Sequence, residues 1–237
     1  MRKIYLFGGT SEIGGNIAKQ ITDTYSDVDK NVVRITTSDI VGSGIRWNPS
    51  DITEVKKTLE KIDLKAEDIV IIALGTLKEI QNEDVIDLNV LDDMYRVNQL
   101  IPTIVLADSF NKLSTQGGGN ILVLTSTAAF PVLDENFTYG SAKSGLDAFA
   151  KYLQRNSKSK SVKISLVRSS FVATKLNFNR KPTPLSLTTD EVAKIVVQNF
   201  GRKVIWTPRF FQSVSFLLMY FPFLKSIANL FVRKSKN

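Results

Sequence analysis

The sequence predicts a doubly wound α/β domain built on a parallel sheet, and three observations support this prediction. First, five short runs are rich in Ile and Val and continuously apolar, as strands buried on both faces of a sheet are. They span residues 3–7, 32–36, 68–74, 120–126 and 162–167. Second, amphipathic segments long enough for crossover helices lie between them, at 51–62, 89–114 and 139–156. Third, strands and helices alternate along most of the chain, which favours parallel pairing.

Length and composition narrow the class of protein. With 237 residues, 43% of them hydrophobic, we expect a single domain over 1–208 and an apolar, basic tail over 209–237. The chain has no cysteine and no histidine, which excludes disulfides, the usual metal sites and histidine-based acid–base catalysis. Proton transfer must therefore use Tyr, Lys, Asp, Glu or Ser. The formal charge of +8 favours an anionic partner such as a phosphorylated ligand or a membrane surface.

Glycines follow the first predicted strand directly. The stretch FGGTSEIGG at 7–15 leads into a helical pattern, IAKQITDTY at 17–25. In that context, N–H groups at a helix N-terminus face the pyrophosphate of a dinucleotide, and glycines allow its close approach. The spacing departs from G-x-G-x-x-G, and Glu12 stands where a glycine is expected. The alternative is a tight turn into a helix that binds no ligand.

A tyrosine and a lysine stand one helical turn apart. Tyr139 and Lys143 occupy positions i and i+4 of a predicted helix and so share a face. An ammonium beside a phenol lowers the pKa of the phenol from about 10 towards neutrality, which lets the tyrosine exchange a proton. The alternative is a solvated surface pair. Ser126 argues against that alternative, because it ends a predicted strand thirteen residues earlier, at the sheet edge where ligands bind.

Together, these features resemble the short-chain dehydrogenase/reductase family. The loop is similar to the family pattern TG-x-x-x-G-x-G, with Gly8 and Gly14 retained and Glu12 at the second glycine. Asn98, in YRVNQLIP, matches the family's helix asparagine. The resemblance covers nearly the whole chain and implies a Rossmann-type fold, a nicotinamide dinucleotide cofactor and an assembly of identical subunits.

The resemblance also implies a role for each site residue. Tyr139 would be the general acid in carbonyl reduction, and Ser126 would hydrogen-bond the substrate oxygen. Lys143 would bind the nicotinamide ribose and tune Tyr139, while Asn98 would hold a relay water. The glycine loop would contact the cofactor through Gly8, Thr10, Ser11, Glu12, Ile13 and Gly14.

Several cofactor positions depart from the family pattern. Where N-N-A-G is usual, residues 72–75 read IALG, so Gly75 is retained and Ala73 is expected to contribute backbone contacts. After the 162–167 run, a Ser-Ser pair replaces the usual Pro-Gly, although Val172 and Thr174 keep the positions that contact carboxamide and phosphate in the family.

The adenosine end is also unusual. Asn48 stands where an Asp commonly meets the adenine amino group, and its side-chain oxygen can accept the same bond. An acid that reads the ribose hydroxyls is missing after the second strand, where Thr36 begins the run TTS. Arg34 lies inside that strand and is not expected to replace it. The sequence therefore favours NADP and leaves NAD open.

The substrate is suggested by a subgroup of the family. The runs GGTSEIG, ALGTL, YGSAKSGLDAFA, TPLSLTTDEVA and VIWTP resemble reductases of decaprenylphosphoryl-keto-ribose, a sugar on a polyprenyl phosphate. A keto-sugar substrate in cell-wall or surface polysaccharide synthesis is therefore expected. Two alternatives stay open, namely a soluble reductase of a small carbonyl compound and a non-catalytic dinucleotide-binding regulator. Nucleic-acid binding is not expected, because the basic residues are scattered.

Predictions are also made for two segments outside the alternating strands and helices, at 210–224 and 179–186. Residues 210–224 carry no charge and include Pro222, which favours an interfacial helix on a membrane over a spanning one. A contact between subunits is the alternative. With no signal peptide at the start, a cytoplasmic protein, peripheral on the inner membrane face if the tail binds lipid, is expected. The basic stretch NRKPTPLS at 179–186 is either a lid over the substrate or a plain surface connection.

Overall fold

In the computed structural model, a parallel sheet of seven strands forms the centre of the described chain. The structure describes residues 1–38, 44–78, 87–132, 137–156, 161–175, 186–221 and 223–224. The strands are β1 (Ile4–Phe7), β2 (Val33–Thr36), β3 (Gly44–Arg46), β4 (Ile69–Ile72), β5 (Gly119–Ser126), β6 (Val162–Ser169) and β7 (Val204–Thr207). Their order is β3-β2-β1-β4-β5-β6-β7, and all neighbouring pairs are parallel.

Helices cover both faces of this sheet. They are α1 (Glu12–Thr24), α2 (Ile52–Lys61), α3 (Leu88–Tyr95), α4 (Ile101–Thr115), α5 (Phe137–Asn156), α6 (Thr189–Gln198) and α7 (Phe211–Tyr220). One buried cluster joins the sheet to α2, α4 and α5, and a second joins its other face to α1 and α6. The predicted doubly wound α/β fold is confirmed. The strand order reverses between β1 and β4, which is where such sheets open a cleft for ligands.

Two strands and one helix boundary differ from the sequence prediction. β3 and β7 were not predicted; β3 has only three residues, none of them buried, and so lacks a continuous apolar run. The first helix begins at Glu12, so Gly14 and Gly15 lie inside it rather than before it. Ser11 explains the early start, since its side chain accepts a hydrogen bond from the Gly14 N–H and caps the helix.

The helical segment predicted at 89–114 is interrupted. α3 and α4 are separated by a single turn of π-helix at Arg96–Leu100. Pro102 accounts for the break, because it has no N–H with which to complete the α-helical bond to the carbonyl of Asn98. Turns of this kind are common at functional sites, and Asn98 lies within this one.

In its described residues, the tail forms a short helix, α7, beside the sheet edge. α7 exposes much of its apolar surface, including Phe216 at 58%, Met219 at 53% and Tyr220 at 64%. Within the described residues, none of the helices is both long and apolar enough to cross a membrane. The stretch predicted as a lid or surface connection, 179–186, lies outside the described residues except for Ser186.

Candidate active site

The glycine loop is held by close contact with β4. Gly8 has a φ of +87°, and a Cβ on it would lie 2.6 Å from the carbonyl oxygen of Ala73. A Cβ on Gly14 would lie 2.7 Å from the Cβ of Ala73 and 2.8 Å from Cδ1 of Leu6. Both distances are too short for a side chain, so glycine is required at each position for the loop and α1 to pack on the sheet.

Glu12 turns its carboxylate to a different part of the chain. Its Oε2 accepts a hydrogen bond of 2.9 Å from the backbone N–H of Lys175, in the segment that follows β6. The side chain is exposed and lies in the first turn of α1, where a negative charge is favourable. The loop therefore accommodates a glutamate at the family's second glycine.

A cavity of about 610 Å³ opens at the carboxyl ends of the strands. It brings together most of the predicted site residues, on both the cofactor and the catalytic side. They are Gly8, Thr10, Ser11, Glu12, Ile13, Thr36, Ala73, Gly75, Ser126, Tyr139, Lys143, Val172 and Thr174. Gly14, Asn48 and Asn98 are not among the lining residues. This cavity is the candidate active-site cleft.

Ser126 ends β5 and is largely buried. Its Oγ accepts a hydrogen bond of 3.1 Å from the N–H of Ala128 and donates one of 3.4 Å to the carbonyl of Ser169 on β6. These bonds fix the hydroxyl at the floor of the cleft, level with the end of the neighbouring strand.

Lys143 reaches the cleft from α5 and is only 3% exposed. Its Nζ donates hydrogen bonds of 3.0 Å to the carbonyl of Leu74 and 3.4 Å to that of Leu124. The same Nζ lies 5.8 Å from the centre of the Tyr139 ring. Burial lowers the pKa of Lys143 from 10.5 to about 8, so the ammonium still predominates at neutral pH. A cation thus lies next to the Tyr139 ring.

Asn98 is fully buried and ties the π-helical turn to the loop after β4. Its Oδ1 accepts from the N–H of Thr76 at 3.2 Å, and its Nδ2 donates to the carbonyls of Thr76 and Met94, each at 2.9 Å. A Cβ on Gly75 would lie 3.3 Å from Asn98 Oδ1 and 3.5 Å from Lys143 Nζ. The amide and the ammonium therefore approach each other across this glycine.

A buried ion pair that the sequence did not indicate anchors α5 to β6. Arg168 donates hydrogen bonds of 2.8 and 2.7 Å to the two carboxylate oxygens of Asp147, and both side chains are buried. Asp147 lies one helical turn after Lys143. The pair therefore fixes the depth at which α5 presents its catalytic face.

Arg34 lies closer to the glycine loop than its position inside a strand suggested. Although it lies within β2, its Nη1 donates a hydrogen bond of 2.7 Å to the carbonyl of Gly9 in the glycine loop. It lines a second, open cavity of about 980 Å³ beside that loop, together with Lys19, Lys30 and Lys175. Arg34 lies within a strand, but its side chain is long enough to reach the carboxyl end of that strand. Its guanidinium is therefore placed at the loop.

Asn48, predicted to meet the adenine amino group, lies in a local turn after β3. Its side chain is exposed, and its Oδ1 accepts a hydrogen bond of 3.0 Å from the N–H of Ser50, which closes a local turn. Its neighbours Trp47 and Pro49 line the cleft. The proposed contact of Asn48 with an adenine amino group stays a prediction.

The fold and this site are those of Rossmann-type proteins that bind dinucleotides. A family model described as short chain dehydrogenase matches residues 3–184. The chain belongs to the short-chain dehydrogenase family. The predicted family membership is therefore confirmed.

The individual proteins that resemble this chain match it over only part of its length or at low sequence identity. An uncharacterised oxidoreductase of Mycobacterium tuberculosis is 35% identical over 98 residues, covering 40% of this chain and 39% of the relative. This chain thus matches about two fifths of that protein's length. An NADPH-dependent aldehyde reductase from chloroplasts of Arabidopsis thaliana is 24% identical over 81% of this chain and 74% of its own. A crystal structure of a Burkholderia cenocepacia short chain dehydrogenase in complex with NADP shares the fold, with a TM-score of 0.76 at 13% identity, covering 97% of this chain and 98% of that one.

Burial of Lys143 should make the free energy of unfolding vary with pH in the alkaline range. Because the folded protein releases the Lys143 proton near pH 8 and the unfolded chain near 10.5, the free energy of unfolding should gain from this group as pH rises between those values. The gain has a slope of up to about 1.4 kcal/mol per pH unit. Urea denaturation of the wild type and of Lys143→Met across this range measures it. The difference between the two curves isolates Lys143, and an identical pH slope in both proteins would contradict the assignment.

Proposed function

We propose that the protein is an NADP-dependent reductase that transfers hydride to a ketone carbonyl. The observation that carries the proposal is the convergence of Ser126, Tyr139 and buried Lys143 in one cleft with the glycine loop. The dinucleotide supplies the hydride when bound. The three side chains account for the remaining requirements, namely a hydrogen bond to the carbonyl oxygen, a proton for it, and a cation that makes the proton available.

Each side chain has a distinct part in this proposal. The hydroxyl of Ser126 is held by its neighbours at the cleft floor and orients the carbonyl oxygen. The phenol of Tyr139 gives its proton to that oxygen as the carbonyl is reduced. The ammonium of Lys143, behind the ring, stabilises the phenolate that forms.

Replacing Tyr139 by Phe tests the catalytic assignment. The variant lacks the transferable proton, so kcat for reduction of a keto-sugar should fall by at least about 100-fold. Oxidation of NADPH in the presence of a panel of ketones and keto-sugars measures the loss. Tyr152→Phe is the matched control, because Tyr152 lies on the same helix with its side chain 54% exposed. Undiminished reduction by Tyr139→Phe would show the mechanism to be wrong.

NADP, rather than NAD, is the proposed cofactor. Thr36 ends β2 where NAD-dependent proteins carry an acid, so this position itself has no carboxylate to repel a 2′-phosphate. Arg34 brings a guanidinium to the adjacent loop, and Lys19 and Lys30 add positive charge to the same open cavity. The two relatives described above with NADP and NADPH in their names support the same choice.

Arg34→Ala should weaken binding of NADPH more than that of NADH. A charge-assisted hydrogen bond to phosphate would account for about 10- to 100-fold in the ratio of the two dissociation constants. Fluorescence titration with each cofactor gives the ratio, and it cancels any general damage to the loop. Arg155→Ala, an exposed arginine at the end of α5, is the control. Equal losses for NADPH and NADH would contradict the assignment.

The proposed substrate is a keto-sugar on a polyprenyl phosphate. The reductase would then act in cell-wall or surface polysaccharide synthesis. The motif resemblance to such reductases supports it, and so does the position of the tail. Thr207 pairs with Ser169, which pairs with Ser126, so the end of β7 lies two strands, or about 10 Å, from the catalytic serine. The exposed apolar helix α7 starts four residues later. Residues 209–237 would thus hold the reductase domain on a membrane surface that carries the substrate.

Polar substitutions on α7 test this proposal. A variant with Phe216→Ser and Met219→Ser should lose sedimentation with phosphatidylglycerol vesicles and lose activity on a lipid-linked keto-sugar, but keep activity on a water-soluble one. Leu88→Ser, at a position 74% exposed on α3, is the matched control. Unchanged vesicle binding would contradict the membrane role. A change in molar mass without lipid binding would indicate that α7 joins subunits instead.

A further inference from the structure

Glu12 connects two parts of the cleft that are distant in sequence. It stands in the first turn of α1, at the glycine loop, while its hydrogen-bond partner is the N–H of Lys175, beyond β6. The bond length of 2.9 Å and the carboxylate acceptor make it a charge-assisted hydrogen bond. A glycine at this position would have no side chain with which to make the connection.

The segment that Glu12 contacts, residues 170–175, forms one wall of the cleft. Its start is fixed by a bond of 2.9 Å from the N–H of Ser170 to the carbonyl of Thr207. Its middle is fixed by Leu187, which accepts from the N–H of Ala173 at 3.1 Å and donates to the carbonyl of Phe171 at 3.2 Å. These contacts leave the stretch after 173 to be fixed by other bonds.

We propose that Glu12 is a positioning residue that latches this wall to the glycine loop and so holds Val172 and Thr174 against the bound dinucleotide. Both residues line the cleft, and Lys175 follows Thr174 directly. Glu12 acts through the Lys175 amide and needs no contact of its own with the cofactor. The inference rests on the proposed dinucleotide binding, and it adds the way in which the phosphate loop and the opposite wall are kept in register.

The charges around Glu12 make the latch compatible with a phosphate ligand. A carboxylate in a phosphate loop would ordinarily repel the pyrophosphate. Here it shares the open cavity beside the loop with Lys19, Lys30, Arg34 and Lys175. Its Oε2 is committed to an N–H on the far wall. The local cations offset its charge, and the hydrogen bond fixes its direction.

The latch and simple repulsion predict opposite effects for Glu12→Ala. If the carboxylate only repels phosphate, its removal should tighten cofactor binding. If it positions the wall, its removal should raise the dissociation constant of NADPH about fivefold, the effect of one net hydrogen bond. Glu12→Gln should lose less, because the amide oxygen still accepts from Lys175.

Two measurements decide between these outcomes. Fluorescence titration gives the NADPH dissociation constant without requiring a substrate, and hydrogen exchange reports the protection of residues 171–175. The expected result is weaker binding and faster exchange in Glu12→Ala, with Glu12→Gln in between. Asp87→Ala is the matched control, because Asp87 also accepts from a backbone N–H, that of Asn89, but at the start of α3. It should change neither measurement.

The outcomes also separate this inference from the proposed function. Equal or tighter NADPH binding by Glu12→Ala, with unchanged exchange at 171–175, would overturn the latch. If the wild type bound neither NADPH nor NADH, the proposed function would fail, and the exchange rates would still decide whether Glu12 holds the wall. Thermal unfolding of each variant is the control that separates a loss of NADPH binding from a loss of folding.

Discussion

The geometry of the candidate site depends on burying one ammonium group between two strand ends. Lys143 bonds to the carbonyls of Leu74 and Leu124, which belong to neighbouring regions of the sheet at β4 and β5. A buried charge is tolerated only where hydrogen bonds compensate for lost hydration. Both bonds can form only if α5 docks at one depth and one rotation. The position of Tyr139, one turn earlier, follows from that docking.

Small residues and one ion pair make this docking possible. A Cβ on Gly140 would lie 2.6 Å from the carbonyl oxygen of Ala128, in the turn that begins at Ser126. The glycine of the YGSAK motif therefore lets α5 contact the turn that carries the catalytic serine. At the other end of the contact, Asp147 and Arg168 join α5 to β6. The side chains of Ser126 and Lys143 are thus held by bonds to backbone groups of the sheet and of the turn after β5.

Sequence patterns predicted what is local and missed what is not. The five predicted apolar runs became strands because a strand buried on both faces is apolar at nearly every residue, whereas β3 has only three residues and no such signal. Tyr139 and Lys143 were predicted to share a face from their spacing within one helix, and Ser126 was placed at the sheet edge because it ends a strand. The hydrogen bond from Arg34 to Gly9 was not predicted, because the sequence does not show how far a side chain extends from its strand. The bond from Glu12 to Lys175 spans 163 residues, so spacing carried no information about it.

The glycine loop shows why a departure from a family pattern has a different meaning at each position. At Gly8 and Gly14, the space for a side chain is already filled by Ala73 and Leu6, so the fold itself requires glycine there. At position 12 the side chain is directed outward, where the sheet imposes no such limit. A larger residue at that position costs no packing, and the one present gains a contact with the opposite wall. The loop's two packing glycines and its one substituted position are therefore governed by different constraints, which the spacing of glycines alone does not distinguish.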